Sequence, residues 1–291
     1  MAPARNQSDA ESSASSVALR QCLLAVSVTA DIDLTPTDDG AVIAGVPVVR
    51  LTFSEVAEAI RNAAPQTALA RRRLLRWIRL RRALAERSID ELAESARPVG
   101  LPIGHELHPG PDWVCEHILG GCLDLGIGIV GLDDADPQRV VVVPPGVFRA
   151  TNIDTTEWWR AAYEYLENMG ALATVRWRRE PRRPLHPMGD CDVVTLLGSA
   201  VFRGAIAADA GGMRAVAAPM RHRGWLELSR IDPAFVRAAA MLTDDENRGF
   251  VRPVLVTADE VCLAGDGDGV RIVLRDPAAR DERWLRDVLY H

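Results

Sequence analysis

From Thr67 to Arg87 the apolar and charged positions separate cleanly at a helical period. At about 100° per residue, Ala70, Leu74, Trp77, Ile78, Leu84 and Ala85 fall on one arc, while Arg71, Arg72, Arg73, Arg76, Arg79 and Arg82 fall on the opposite one. Arg81 breaks the pattern by lying in the middle of the apolar arc, so it must reach a carboxylate or bend its head past the seam. Upstream, Val17 to Ala30 reads as a helix started by Ser16, and the run TPTDDGAVIAGVPVVRLTF, with turn chemistry at Asp38-Asp39-Gly40 and around Gly45 and Pro47, reads as a hairpin. Ser54 is placed to cap a helix to about Ala63, and Ser88 with Glu91 forms a capping-box pattern for another that Pro98 ends.

Downstream the periods mix. A helix is expected from Pro111 to about Leu123, then a hairpin from GIGIVGL and RVVVVP across the turn DDADPQ. Asp154, with Glu157 three residues on, opens a helix whose stripe is Trp158, Ala161, Ala162, Tyr165, Leu166 and Met169 and which Gly170 ends. The alternation of Ala173, Val175 and Trp177 with Thr174, Arg176 and Arg178 predicts a strand with one cationic face. CDVVTLL reads as a buried strand, Ser199 to Ala208 as a helix and MRAVAAP as a strand. Asp232-Pro233 and Asp276-Pro277 read as helix starts, with a hairpin or meander between them.

Helices and hairpins are interspersed without the regular alternation of a doubly wound sheet. The expected class is therefore α+β, with antiparallel hairpins or a meander, packed helices and a helical N-terminal part. The expected organisation is a disordered serine-rich tail over 1–16, a mainly helical region with one hairpin over 17–97, a proline- and glycine-rich linker over 98–110 and an α+β domain over 111–291.

Composition narrows the chemistry. The chain has 291 residues, 48% of them hydrophobic, which is enough for a substantial core. It has neither an apolar run long enough to span a bilayer nor the pattern of a signal peptide, and five scattered cysteines do not make a disulfide framework; a cytoplasmic, soluble protein is expected. All 34 cationic side chains are arginine. Without lysine, the usual P-loop, protein-kinase and pyridoxal-phosphate chemistries are disfavoured, because each needs an amine. The formal charge is −6, yet residues 69–87 carry eight arginines against one glutamate, so the basic segment either pairs with the chain's own acids or faces an acidic partner.

Candidate sites follow from these patterns. The basic helix with Arg72, Arg76 and Arg79, the expected strand face with Arg176 and Arg178, and the loop with Arg221 and Arg223 are candidates for an anion-binding or partner-binding surface, since guanidinium forks match carboxylates and phosphates. Trp77 and Trp177 are candidate stacking partners if exposed. His105, His108 and His117, with Cys115 and Cys122 nearby, are the densest group of potential zinc ligands, although His105-Glu106-Leu107-His108 is one residue short of the HExxH spacing. Gly126-x-Gly128-x-x-Gly131 enters a strand rather than a helix, which favours close backbone approach over phosphate binding. Gly265 to Gly269 resembles the start of a calcium loop and reads better as a hairpin turn, and Pro181 to Pro187 reads as a polyproline spacer. No Gly-x-Ser-x-Gly occurs.

The expected function is a non-enzymatic interaction or regulatory protein that uses an arginine-rich face, without a cofactor, to bind an acidic protein surface or nucleic acid. The alternative is a metal-assisted hydrolase in which His105, His108 and His117 hold zinc and Glu106 acts as general base.

Overall fold

A computed structural model describes residues 5–45, 48–61, 63–109, 113, 115–118, 122–133, 137–143, 155–181, 184–226, 233–244, 246–258 and 261–263. The fold is α+β, with small antiparallel sheets and interspersed helices. The chain divides into two compact units, Met1–Leu92 and Ala93–His291. The division precedes the proline- and glycine-rich segment expected to be the linker.

In the N-terminal unit, helix α1 (Arg5–Ala30) begins inside the segment expected to be a disordered tail and carries Leu19, Cys22, Leu23 and Val26 into the core at helical spacing. Three strands form a meander: β1 (Leu34–Pro36), β2 (Gly40–Ile43) and β3 (Val49–Thr52). Leu34 pairs with Ile43, and Gly40 pairs with Thr52. Helix α2 (Phe53–Ile60) starts two residues earlier than expected: Thr52, not Ser54, is the cap, and Thr52 and Glu55 exchange hydrogen bonds as a capping box. Thr67 caps α3 (Ala68–Ala85) by accepting from the Ala70 amide. Ser88 and Glu91 form the expected box at α4 (Ile89–Glu94). The core gathers Leu23, Ile43, Leu51, Val56, Leu74 and Ile78 beneath α1, α2 and α3. Burying each of the larger aliphatic chains contributes about 1.5–3 kcal/mol.

In the C-terminal unit, residues 96–102 are strand β4 (Ala96–Pro102), not linker. Pro98 and Pro102 are tolerated because β4 is an edge strand, where a missing amide leaves the inner ladder intact. The expected helix over 111–123 is replaced by β5 (Cys115–Ile118) and the start of β6 (Leu123–Val130). β4 runs along one edge of β6, while β5 and β7 (Val140–Val142) share the other edge end to end. The glycines of β6 serve packing: a Cβ on Gly126 would stand 2.2 Å from the Trp113 ring, whose Nε1 donates to the Ile127 carbonyl at 3.2 Å.

Helix α5 (Thr155–Arg179) runs through Gly170 and includes the expected cationic strand. Trp158, Ala162, Leu166, Gly170, Ala173 and Trp177 form one buried stripe at three- and four-residue spacing, which overrides the short alternation at 173–178. Gly170 is there for contact, since a Cβ would meet Ser199 Oγ at 2.0 Å. CDVVTLL is a short helix, α6 (Val193–Leu196), capped by Asp192, rather than a strand. Ser199 caps α7 (Ala200–Ala208), and Glu167 of α5 accepts from the Ala200 and Val201 amides at the same end. The last sheet has the order β11-β10-β8-β9, from β8 (Arg214–Met220), β9 (Arg223–Trp225), β10 (Val254–Val256) and β11 (Val261–Leu263). Helix α8 (Pro233–Leu242) packs on β8. Asp154, Arg182, Arg183, the glycine-aspartate turn at 265–269 and the helix expected from Asp276 lie outside the described residues.

Candidate functional site

Helix α3 realises the segregation read from its sequence. Ala70, Leu74, Trp77, Ile78 and Leu84 are buried, as is Leu80, whereas Ala85 is exposed. Arg81, inside the apolar arc, is half-buried and reaches Glu55 Oε1 at 3.6 Å. Arg73 donates through Nη1 to the Ile60 carbonyl at 3.2 Å, which ties the flank of the basic face to the end of α2.

Arg72, Arg76 and Arg79 lie on the opposite side of the helix from the core, within a stripe about 60° wide at the helical period. Arg72 and Arg79 are exposed, and among the described residues neither forms an ion pair; Arg76 is half-buried. Their positions span about 10 Å along the axis at 1.5 Å per residue. A row of guanidinium forks at that spacing suits several carboxylates or phosphates at once. Trp77 is buried in the core, so it is no stacking platform for this face.

The cationic positions of the C-terminal unit behave differently. Arg176 and Arg178 are exposed, but on a helix residues two apart point about 200° from one another, so the single cationic face expected of a strand does not form. Together with Arg179 they occupy the last turn of α5, where cations complement the helix's carbonyl end. Arg176 also lines a cavity of about 60 Å³ with Trp177, Glu180 and His186. Trp177 is buried, with Arg214 over its ring at 5.3 Å.

Arg221 is an internal strut rather than a surface cation. It is buried, donates through Nη1 to the Gly100 carbonyl at 2.9 Å and pairs through Nη2 with Asp192 Oδ2 at 2.5 Å. Since Asp192 also caps α6, and Gly100 N donates to Thr195 Oγ1, one guanidinium fixes β4, the α6 cap and the β8–β9 turn. Arg223 is exposed and stacks over Trp225 at 5.5 Å.

The histidine region is organised by the protein's own hydrogen bonds. His105 is buried; its Nε2 meets the Arg248 carbonyl at 3.0 Å, and its Nδ1 accepts from the Leu107 amide at 3.1 Å. A carbonyl only accepts, so Nε2 carries the proton and the Nδ1 lone pair is engaged, which leaves His105 unsuited to ligate zinc in this conformation. His108 Nε2 lies 3.3 Å from Oδ2 of buried Asp124, and its ring meets Trp113 edge to face. His117 stands opposite Asp124 in the β5–β6 register. Among the described residues, no group of three or more His, Cys, Asp or Glu side chains is arranged to hold a metal ion.

A cavity of about 200 Å³ opens beside His105, lined by Pro102, Ile103, Glu106, Cys122, Arg248 and Phe250, among others. Glu106 and Cys122 belong to the ligand-rich segment read from the sequence. Arg248 lies more than a hundred residues away and carries no motif, so only the fold brings it to them. Elsewhere, burial pushes the Cys22 thiol pKa up, with Arg71 opposing the shift, and burial likewise raises Tyr165 and Cys191. Compared with protein families, with curated proteins and with solved structures, the chain has no match.

Proposed function

We propose that the protein is a non-enzymatic interaction protein whose α3 arginine stripe docks an acidic protein segment. The observation that carries this reading is that exposed Arg72 and Arg79 stand without an ion pair among the described residues, although acidic residues outnumber arginines 40 to 34 in the chain. A helix with a buried apolar arc and a solvated guanidinium row offers a rigid, permanently charged surface. The chain's net charge of −6 disfavours a polyphosphate backbone as the general partner, because long-range repulsion opposes the approach of nucleic acid while a short acidic segment feels mainly the local field.

The test is titration of the intact protein with a fluorescent glutamate-rich peptide and, separately, with duplex DNA of equal charge. Peptide binding that weakens as salt rises from about 50 to 200 mM, and that is lost in the R72E/R79E double variant, is the expected result. Tighter binding of DNA would replace the acidic-protein reading with a nucleic-acid one. Absence of any binding at low salt, or binding indifferent to R72E/R79E, would overturn both.

A further inference from the structure

The cavity beside His105 combines features that point to a ligand of its own. Its volume of about 200 Å³ exceeds the roughly 150 Å³ that admits one benzene molecule, so a single six-membered ring with one small substituent fits. Pro102, Ile103, Cys122, Phe250 and Val251 give it apolar walls. Cys122 and Phe250 are buried, while Ile103, Glu106 and Val251 are substantially exposed and set the rim, so the cavity is reachable from solvent.

Arg248 is the arginine of the lining, and its guanidinium is anchored from behind. Nε donates to the Ala240 carbonyl at 3.0 Å and Nη2 to the Thr243 carbonyl at 3.2 Å, both at the C-terminal end of α8. The loop leading to it is pinned by Asp244, which accepts from the Glu246 and Asn247 amides; the side-chain hydrogen bond from Asn247 lowers the Asp244 carboxyl pKa most. The Arg248 carbonyl, in turn, holds His105 in the wall. Nη1 faces Glu106 Oε1 across 3.7 Å, a long contact with a half-exposed carboxylate on a loop. A carboxylate entering the cavity would take the place of Glu106 and form a tighter charge-assisted contact with a guanidinium already held in position.

We infer that this cavity is a binding site for a small carboxylate with a compact apolar body, such as a single-ring aromatic or branched aliphatic acid, and that Glu106 is the internal carboxylate it displaces. The apolar walls take the body, Arg248 Nη1 takes the charge, and the site lies wholly within the C-terminal unit, independent of the α3 stripe.

Calorimetric titration of the intact protein with benzoate, and with benzamide as its neutral match, tests the assignment. Benzoate should bind, benzamide should bind about tenfold more weakly, and Glu106→Gln should tighten benzoate severalfold by removing the competitor. Val251→Trp, placed at the exposed rim, should fill the cavity and abolish binding in a protein that remains folded by circular dichroism. The R72E/R79E variant should bind benzoate as the unmodified chain does. Equal affinity for benzamide, no response to E106Q, retention of binding in folded V251W, or no binding at millimolar benzoate would each overturn the proposal; loss of binding in R72E/R79E would move the site to α3.

Discussion

The outward arginines of α3 and the interior arginines of the C-terminal unit have the same side chain and opposite roles. On α3, Arg72 and Arg79 project from the face opposite the core into solvent. In the C-terminal unit, Arg203 is buried and donates through Nη1 to the carbonyls of Leu197 and Gly198, Arg221 joins Gly100 to Asp192, and Arg97 pairs with Asp190 at 2.7 Å while lying over the Tyr165 ring. A guanidinium's planar fork can satisfy several acceptors at once, so it serves as an interior connector where a carbonyl or carboxylate needs a donor, and as a binding surface where none is near. Charge count along the sequence does not separate the two. What separates them is whether the fold supplies acceptors.

The sharpest way to break this contrast is Arg221→Met. Removing the guanidinium strands the Asp192 carboxylate and the Gly100 carbonyl, and a loss of about 3 kcal/mol in urea unfolding is expected, with peptide-resolved hydrogen exchange rising in β4 and around Asp192. A loss under 1 kcal/mol would mean that Arg221 is no strut.

Next in size is the response to alkali. Burial first, then Asp192 and Asp190, push the Cys191 thiol pKa far up, with Arg97 opposing them. The folded state therefore keeps its proton after the unfolded chain has lost it. The contribution is full below about pH 8.5 and declines above that at up to about 1.4 kcal/mol per pH unit, and Cys191→Ala should flatten that slope. Cys22→Ala should flatten it less, because no carboxylate adds to burial there and Arg71 works against the shift. An unchanged slope in Cys191→Ala would show that the thiol does not feel the buried network.

Arg72→Ala with Arg79→Ala should have the smallest effect on folding, within about 0.5 kcal/mol, because these side chains leave no buried partner behind. The same pair should have the largest effect on capture of an acidic peptide. A marked destabilisation would assign the α3 face to the fold instead of to binding.

The α3 face was legible because a long amphipathic pattern expresses one rule, burial on one side, over many residues; even Arg81's need for a carboxylate or a way past the seam could be stated, and it reaches Glu55. The capping box at Ser88 and the helix start at Ser199 were legible for a similarly local reason. Shorter signals misled. Six alternating residues at 173–178 looked like a strand until the stripe of α5 carried helical spacing through them, and Gly170 looked like a terminator when its missing side chain admits Ser199. The prolines of β4 looked like a linker because nothing local announces an edge strand.

The candidate sites divide along the same line. Sequence alone determined the α+β class, the guanidinium-only cation set and the outward row on α3, all of which depend on residue type and helical period. Tertiary structure alone decided that Arg221 is a strut, that His105 is tied down by Arg248 and Leu107, and that Arg248, Glu106 and Cys122 share a cavity. Those outcomes turn on which acceptor lies within about 3 Å of which donor, and that distance is set by contacts between segments far apart in the chain.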